Sequence, residues 1–87
     1  MFTGIITDVG TVTELQQDGD LRARIRTGYD TAGIDIGASI ASDGVCLTVI
    51  ALGDDWYDVQ ISAETISKTN IGRNGWHDGK RVNLERA

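Results

Sequence analysis

The 87-residue sequence has no proline, one cysteine, one histidine and no long apolar run, and each scarcity excludes a class of protein. Cys46 alone cannot close an internal disulfide, and with His77 as the single imidazole no cluster has zinc-ligand spacing, so no metal is expected. No stretch reaches the ~18 apolar residues of a membrane-spanning helix. After Met1 come Phe2, Thr3, Gly4, Ile5 and Ile6, with neither a basic leader nor a cleavage site; no secretory signal is expected, and the default location is the cytoplasm. Positive charge is also scarce. Eight Lys and Arg face thirteen Asp and Glu, and a net charge of −5 argues against a nucleic-acid partner. Lack of proline leaves nothing to block pairing in central strands, while eleven glycines supply tight turns. A single compact β domain over residues 1–87 follows.

Leu21, Ala23 and Ile25 alternate with Arg22, Arg24 and Arg26, the period of two that defines a half-buried strand. Upstream, Ile5 to Leu15 is rich in Val, Ile and Thr, and Asp18-Gly19 between the two runs suits a hairpin turn. Asp43-Gly44 separates a strand over Ala38–Ala41 from one over Val45–Ala51, and Gly53-Asp54-Asp55 separates the latter from Trp56–Ile61. Arg81–Leu84 supplies the sixth strand. One segment lacks alternation: Ala63 to Thr69 reads as a short helix, with Ser62 as N-cap, Glu64 in the first turn and Asn70-Ile71-Gly72 as the stop. Tyr29 to Gly33 reads as a loop with a helical turn. Six short strands in so small a chain favour closure into a barrel, which leaves no exposed edges, but the strand order is not legible from spacing.

Taken singly, the chemistry-bearing residues have plain readings. Cys46 among Val45, Leu47 and Val49 reads as a buried small hydrophobe, unreactive toward thiol reagents. Glu64 and Thr65 read as capping or surface residues, and Ser39 as a turn residue. His77, between Trp76 and Asp78, reads as a solvated or locally hydrogen-bonded imidazole and is given no role.

The strings in order say more. Met1-Phe2-Thr3-Gly4-Ile5, Gly37-Ala38-Ser39-Ile40-Ala41, Gly44-Val45-Cys46-Leu47-Thr48-Val49, Ala63-Glu64-Thr65-Ile66 and Val82-Asn83-Leu84-Glu85-Arg86-Ala87 resemble the N-terminal half of the riboflavin synthase family across the whole chain. The resemblance implies a six-stranded antiparallel Greek-key barrel with one short helix, the first of two barrels in tandem, the second being absent here. It implies an enzyme that moves a four-carbon unit between two molecules of 6,7-dimethyl-8-ribityllumazine, giving riboflavin and 5-amino-6-ribitylaminopyrimidinedione, with no separate cofactor. Each active site of the family's homotrimer lies between barrels of neighbouring subunits, and an isolated N-terminal barrel is expected to form a homodimer with little or no turnover.

Carried over by position, the lumazine-contacting segments are Gly4-Ile5-Ile6, Cys46-Leu47-Thr48 and Gln60-Ile61-Ser62-Ala63-Glu64-Thr65. Ile6 and Leu47 are expected as apolar walls for the flat ring, Gly4 as a point of close approach, and Glu64 with Thr65 as partners for ribityl hydroxyls. Phe2 and Thr3 are expected near the site. Ser39 and Cys46 match the family's candidates for proton transfer and nucleophilic attack; a histidine of the second barrel that joins them has no counterpart here. Val45 and Ser62 stand where relatives often carry Cys and Met. Two competing readings remain: a non-catalytic lumazine- or flavin-carrying antenna protein of the same fold, and an unrelated single-strand-binding barrel. The latter would use the Arg22, Arg24 and Arg26 stripe, but Trp56, Tyr57 and Trp76 lie elsewhere in sequence.

Overall fold

The computed structural model describes residues 7–18, 20–69, 71 and 75–86. Its strands are β1 (Asp8–Asp18), β2 (Asp20–Arg26), β3 (Ser39–Ser42), β4 (Val45–Leu52), β5 (Trp56–Ile61) and β6 (Arg81–Arg86). The helix α1 (Ala63–Lys68) follows β5, and a 3-10 turn at Thr31–Gly33 falls in the loop where a helical turn is expected. All six expected strands and the helix are present, with shifted ends. Gly19, Asn70, Gly72 and the expected start of β1 at Ile5 and Ile6 lie outside the described residues.

The strands close into an antiparallel barrel in the order β1-β2-β5-β4-β3-β6. Hydrophobic alternation sets which face turns inward: Ala23, Ile25, Ile40, Leu47, Val49, Val59, Ile61, Val82 and Leu84 point into one core, each less than 5% exposed. Between β3 and β4, Asp43 and Gly44 both have positive φ (50° and 85°), the pair that a two-residue hairpin matched to strand twist requires. The barrel closes tightly at Gly10 of β1. A Cβ there would stand 2.6 Å from Ile25 Cγ2 and 2.8 Å from Leu84 Cδ1, so strands on either side leave room for hydrogen only.

Not all of the interior is apolar. Tyr57 and Ser42 are fully buried, and neither hydroxyl completes a hydrogen bond. Burial pushes the Tyr57 hydroxyl pKa far upward. No helix among the described residues is long and apolar enough to cross a membrane.

Candidate functional site

Because one face of each strand fills the core, the other face forms the outer wall, and there strand register brings distant residues into line. Ser39 on β3 pairs with Thr48 on β4, Thr48 with Gln60 on β5, Gln60 with Arg22 on β2, and Arg22 with Gln16 on β1. At ~4.8 Å per strand this polar row runs roughly 19 Å across the wall. Cys46 lies two residues from Thr48 along β4, on the same face, opposite Ala41 of β3. Thus Ser39, Cys46, Thr48 and Gln60, far apart in sequence, share one surface.

Two expectations need correction. Cys46 is exposed, not buried. Leu47 and Val49 hold the inward positions of β4, so the residue between Val45 and Leu47 must face outward; the alternation carried this signal, which the apolar neighbours masked. Conversely, the Leu47 and Ile61 side chains, 4% and 1% exposed, fill the core. Leu47 is no pocket wall, and both residues offer an outer-wall ligand only their backbone. Phe2, Thr3, Gly4, Ile5 and Ile6 lie outside the described residues.

At the end of β5 the chain turns into α1. Ser62 is its N-cap as expected: Oγ accepts from the Thr65 N–H at 3.1 Å and lies 2.9 Å from Thr65 Oγ1. Where a Met would offer packing area, this chain has a hydroxyl that starts the helix. Ala63 and Glu64 are exposed, and the Glu64 carboxylate accepts from Lys68 Nζ one turn on, at 2.7 Å. His77 is exposed and makes only a local contact, Nδ1 to the Asp78 carbonyl oxygen at 3.0 Å.

Next to the row are two adjoining depressions. One, of about 220 Å³, is lined by Gln16, Asp20, Arg22, Ile50 and Gln60. Ile50 reaches it because alternation along β4 puts it on the same face as Cys46 and Thr48; a bulge between Val49 and Ala51 shifts the β4–β5 register beside it. Within it, Gln60 Nε2 donates to Asp20 Oδ2 at 3.0 Å. The second, of about 230 Å³, is lined by Glu14, Gln16, Arg22, Arg24 and Asp58. Here Arg22 donates to Asp58 Oδ2 from Nε (3.1 Å) and Nη2 (2.7 Å), while Arg24 donates from Nε to Oδ1 (2.9 Å) and from Nη2 to Oδ2 (3.2 Å). The Asp58 side chain is 2% exposed, although it sits on the outer wall, because the two guanidiniums cover it. Burial alone would raise its pKa; hydrogen bonds from Arg24 and Arg22 outweigh that and hold it below the ordinary aspartate value. Arg24 also lies 3.7 Å above the Trp56 ring and 3.4 Å from Glu14. The basic stripe of β2 is therefore largely neutralised, and Trp56, distant in sequence, is part of the cluster. Neither could be read before the β2–β5 pairing was known. Among the described residues no three His, Cys, Asp or Glu are grouped to hold a metal.

A model of the lumazine binding domain family matches residues 3–87. The chain belongs to that family. Its relatives include the riboflavin synthases of Brucella abortus (strain 2308), Mycobacterium tuberculosis (strain ATCC 25618 / H37Rv) and Bacillus subtilis (strain 168), at 45%, 44% and 36% identity over the whole of this chain. This lumazine-binding domain covers 45%, 43% and 40% of those proteins' respective lengths, so it spans less than half of each. The closed barrel is the fold that the resemblance implied for the lumazine-binding domain.

Proposed function

We propose that this chain is the N-terminal lumazine-binding barrel of a riboflavin synthase and holds 6,7-dimethyl-8-ribityllumazine or riboflavin against its outer wall, over Cys46 to Thr48 and Gln60 to Thr65, with Gly4 to Ile6 completing the pocket. The observation that carries this reading is the register row: Ser39, Thr48 and Gln60, three positions matched to the family's site, present their polar groups side by side on one open face. A flat heteroaromatic ring with carbonyl and N–H edges needs such a surface, with polar groups at fixed spacing. In the reaction one lumazine loses a proton from its C7 methyl while a nucleophile adds to the other, and Ser39 and Cys46 are this barrel's candidates, by resemblance to the family, for those roles. No separate cofactor enters this scheme. In the family a second barrel supplies the facing ligand and a histidine, so this barrel by itself binds and turns over little or nothing. Its surface toward a second barrel favours pairing, in isolation, with a second copy into a homodimer.

Titration of riboflavin fluorescence with the domain tests this reading, with sedimentation equilibrium on the same samples. Saturable quenching at one site per barrel and a dimer at high concentration are expected. Absence of saturable quenching overturns the ligand assignment, and a strict monomer overturns the dimer.

A further inference from the structure

The contact between Gln60 and Asp20 settles which end of the Gln60 amide is free. An ionised carboxylate only accepts hydrogen bonds, so the atom facing Asp20 Oδ2 at 3.0 Å must be the amide NH2. The carbonyl Oε1 of the same planar group is thereby turned away from Asp20. Among the described residues it has no hydrogen-bond partner, and the neighbouring Thr48 hydroxyl has none either. Asp20 reaches Gln60 because β2 begins at Asp20, two residues before Arg22, the register partner of Gln60. β1 pairs Asp18 with Asp20, which ties the carboxylate's backbone into the sheet.

We propose that Asp20 is a positioning residue of the ligand site: by accepting from Nε2 it makes Gln60 a hydrogen-bond acceptor toward the ligand, so that the site selects a ligand that offers a donor at that point. This rests on the outer-wall ligand site proposed above. An amide free to flip would present donor or acceptor with similar ease, and the site would then discriminate poorly. The donor is either a ring N–H or a ribityl hydroxyl.

The test uses the intact domain, riboflavin quenching for affinity, and thermal unfolding as a measure of fold. Asp20→Lys places a donor where the acceptor stood, reverses the amide and should weaken riboflavin binding roughly tenfold or more. Gln60→Glu sets two carboxylates against each other and should weaken it similarly. The exchange D20N/Q60E restores the arrangement, because the Asn NH2 donates to one Glu oxygen and leaves the other facing the ligand; its affinity should return to within about threefold of the parent. A contact with a purely structural role would change melting temperature and affinity together and would give no such rescue at unchanged stability. The penalty of Asp20→Lys should vanish either with 3-methylriboflavin, which lacks the ring N–H, or with lumiflavin, which lacks the ribityl hydroxyls, and that result names the donor. Persistence with both analogues, unchanged affinity in Asp20→Lys, or failure of the exchange to rescue overturns the role of Asp20 while leaving the ligand site standing. If the parent domain shows no saturable binding, both fall.

Discussion

Asp58→Ala removes the one carboxylate that four guanidinium hydrogen bonds converge on. Breaking a buried ion pair from one side costs about 3–5 kcal/mol, chiefly because a charge is left unsolvated. Here the charges left behind are Arg22 and Arg24, whose side chains are 50% and 34% exposed, so water can take over much of what Asp58 supplied. Solvent screening places the loss near that of a charge-assisted hydrogen bond, about 1.5–3 kcal/mol. In a domain of this size that lowers the melting temperature by about 6–24 °C. Urea unfolding followed by circular dichroism measures it directly. A loss below about 0.5 kcal/mol would refute the argument, since the cluster would then be an ornament of the surface. pH gives an independent check. The folded-state pKa of Asp58 is depressed, so its contribution is fully present above the unfolded value of ~3.9 and is lost as pH falls through that value toward the folded one. Asp58→Asn should therefore flatten the acid limb of the stability profile below about pH 5, with little change in slope above it.

Three further outcomes follow from particular contacts. Cys46, being exposed, should react with an aromatic disulfide reagent at the rate of an accessible thiol, and saturating riboflavin should slow the reaction; sluggish labelling of the free domain contradicts the outward placement of β4's even positions. Tyr57→Phe deletes a buried hydroxyl that has no partner, so stability measured in urea should hold or rise by up to ~1 kcal/mol; a loss larger than that would show that the hydroxyl is bonded, through an internal water for example. Ser62→Ala removes the cap of α1 and should cost about 1 kcal/mol, seen as a lower urea midpoint at unchanged slope.

Local chemistry made the elements readable in advance. Strict alternation in Leu21–Arg26, the Asp43-Gly44 turn and the Ser62 cap each depend on neighbours in sequence, and each stands where expected. What stayed hidden depends on pairing between distant segments. Asp58 reads as an isolated acid within Trp56–Ile61 until β5 is laid against β2, when it falls between Arg22 and Arg24. Asp20 is only the residue after the Asp18-Gly19 turn until the same pairing places Gln60 beside it. Cys46 shows a different failure: the alternation was present, but hydrophobic neighbours on both sides suggested burial, when one neighbour on each side of an outward residue is what a half-buried strand provides. The proposed site residues rest on resemblance, since no local rule singles out Thr48 or Gln60.

The position of β6 between β1 and β3 has a consequence for the order in which the protein can assemble. It joins Val9 to Asn83 on one side and Ala41 to Glu85 on the other, so the sixth strand of the barrel seals two seams at once. Until then the growing chain is an open sheet with two raw edges, β1 and β3, each able to pair with another nascent chain. Joining segments from opposite ends of the chain also delays closure, since loop entropy is lost before any contact is gained. Docking of β6 therefore separates a sticky ribbon from a cylinder with no edge to offer, and the time spent before that moment sets how long the barrel segment is exposed to mispairing.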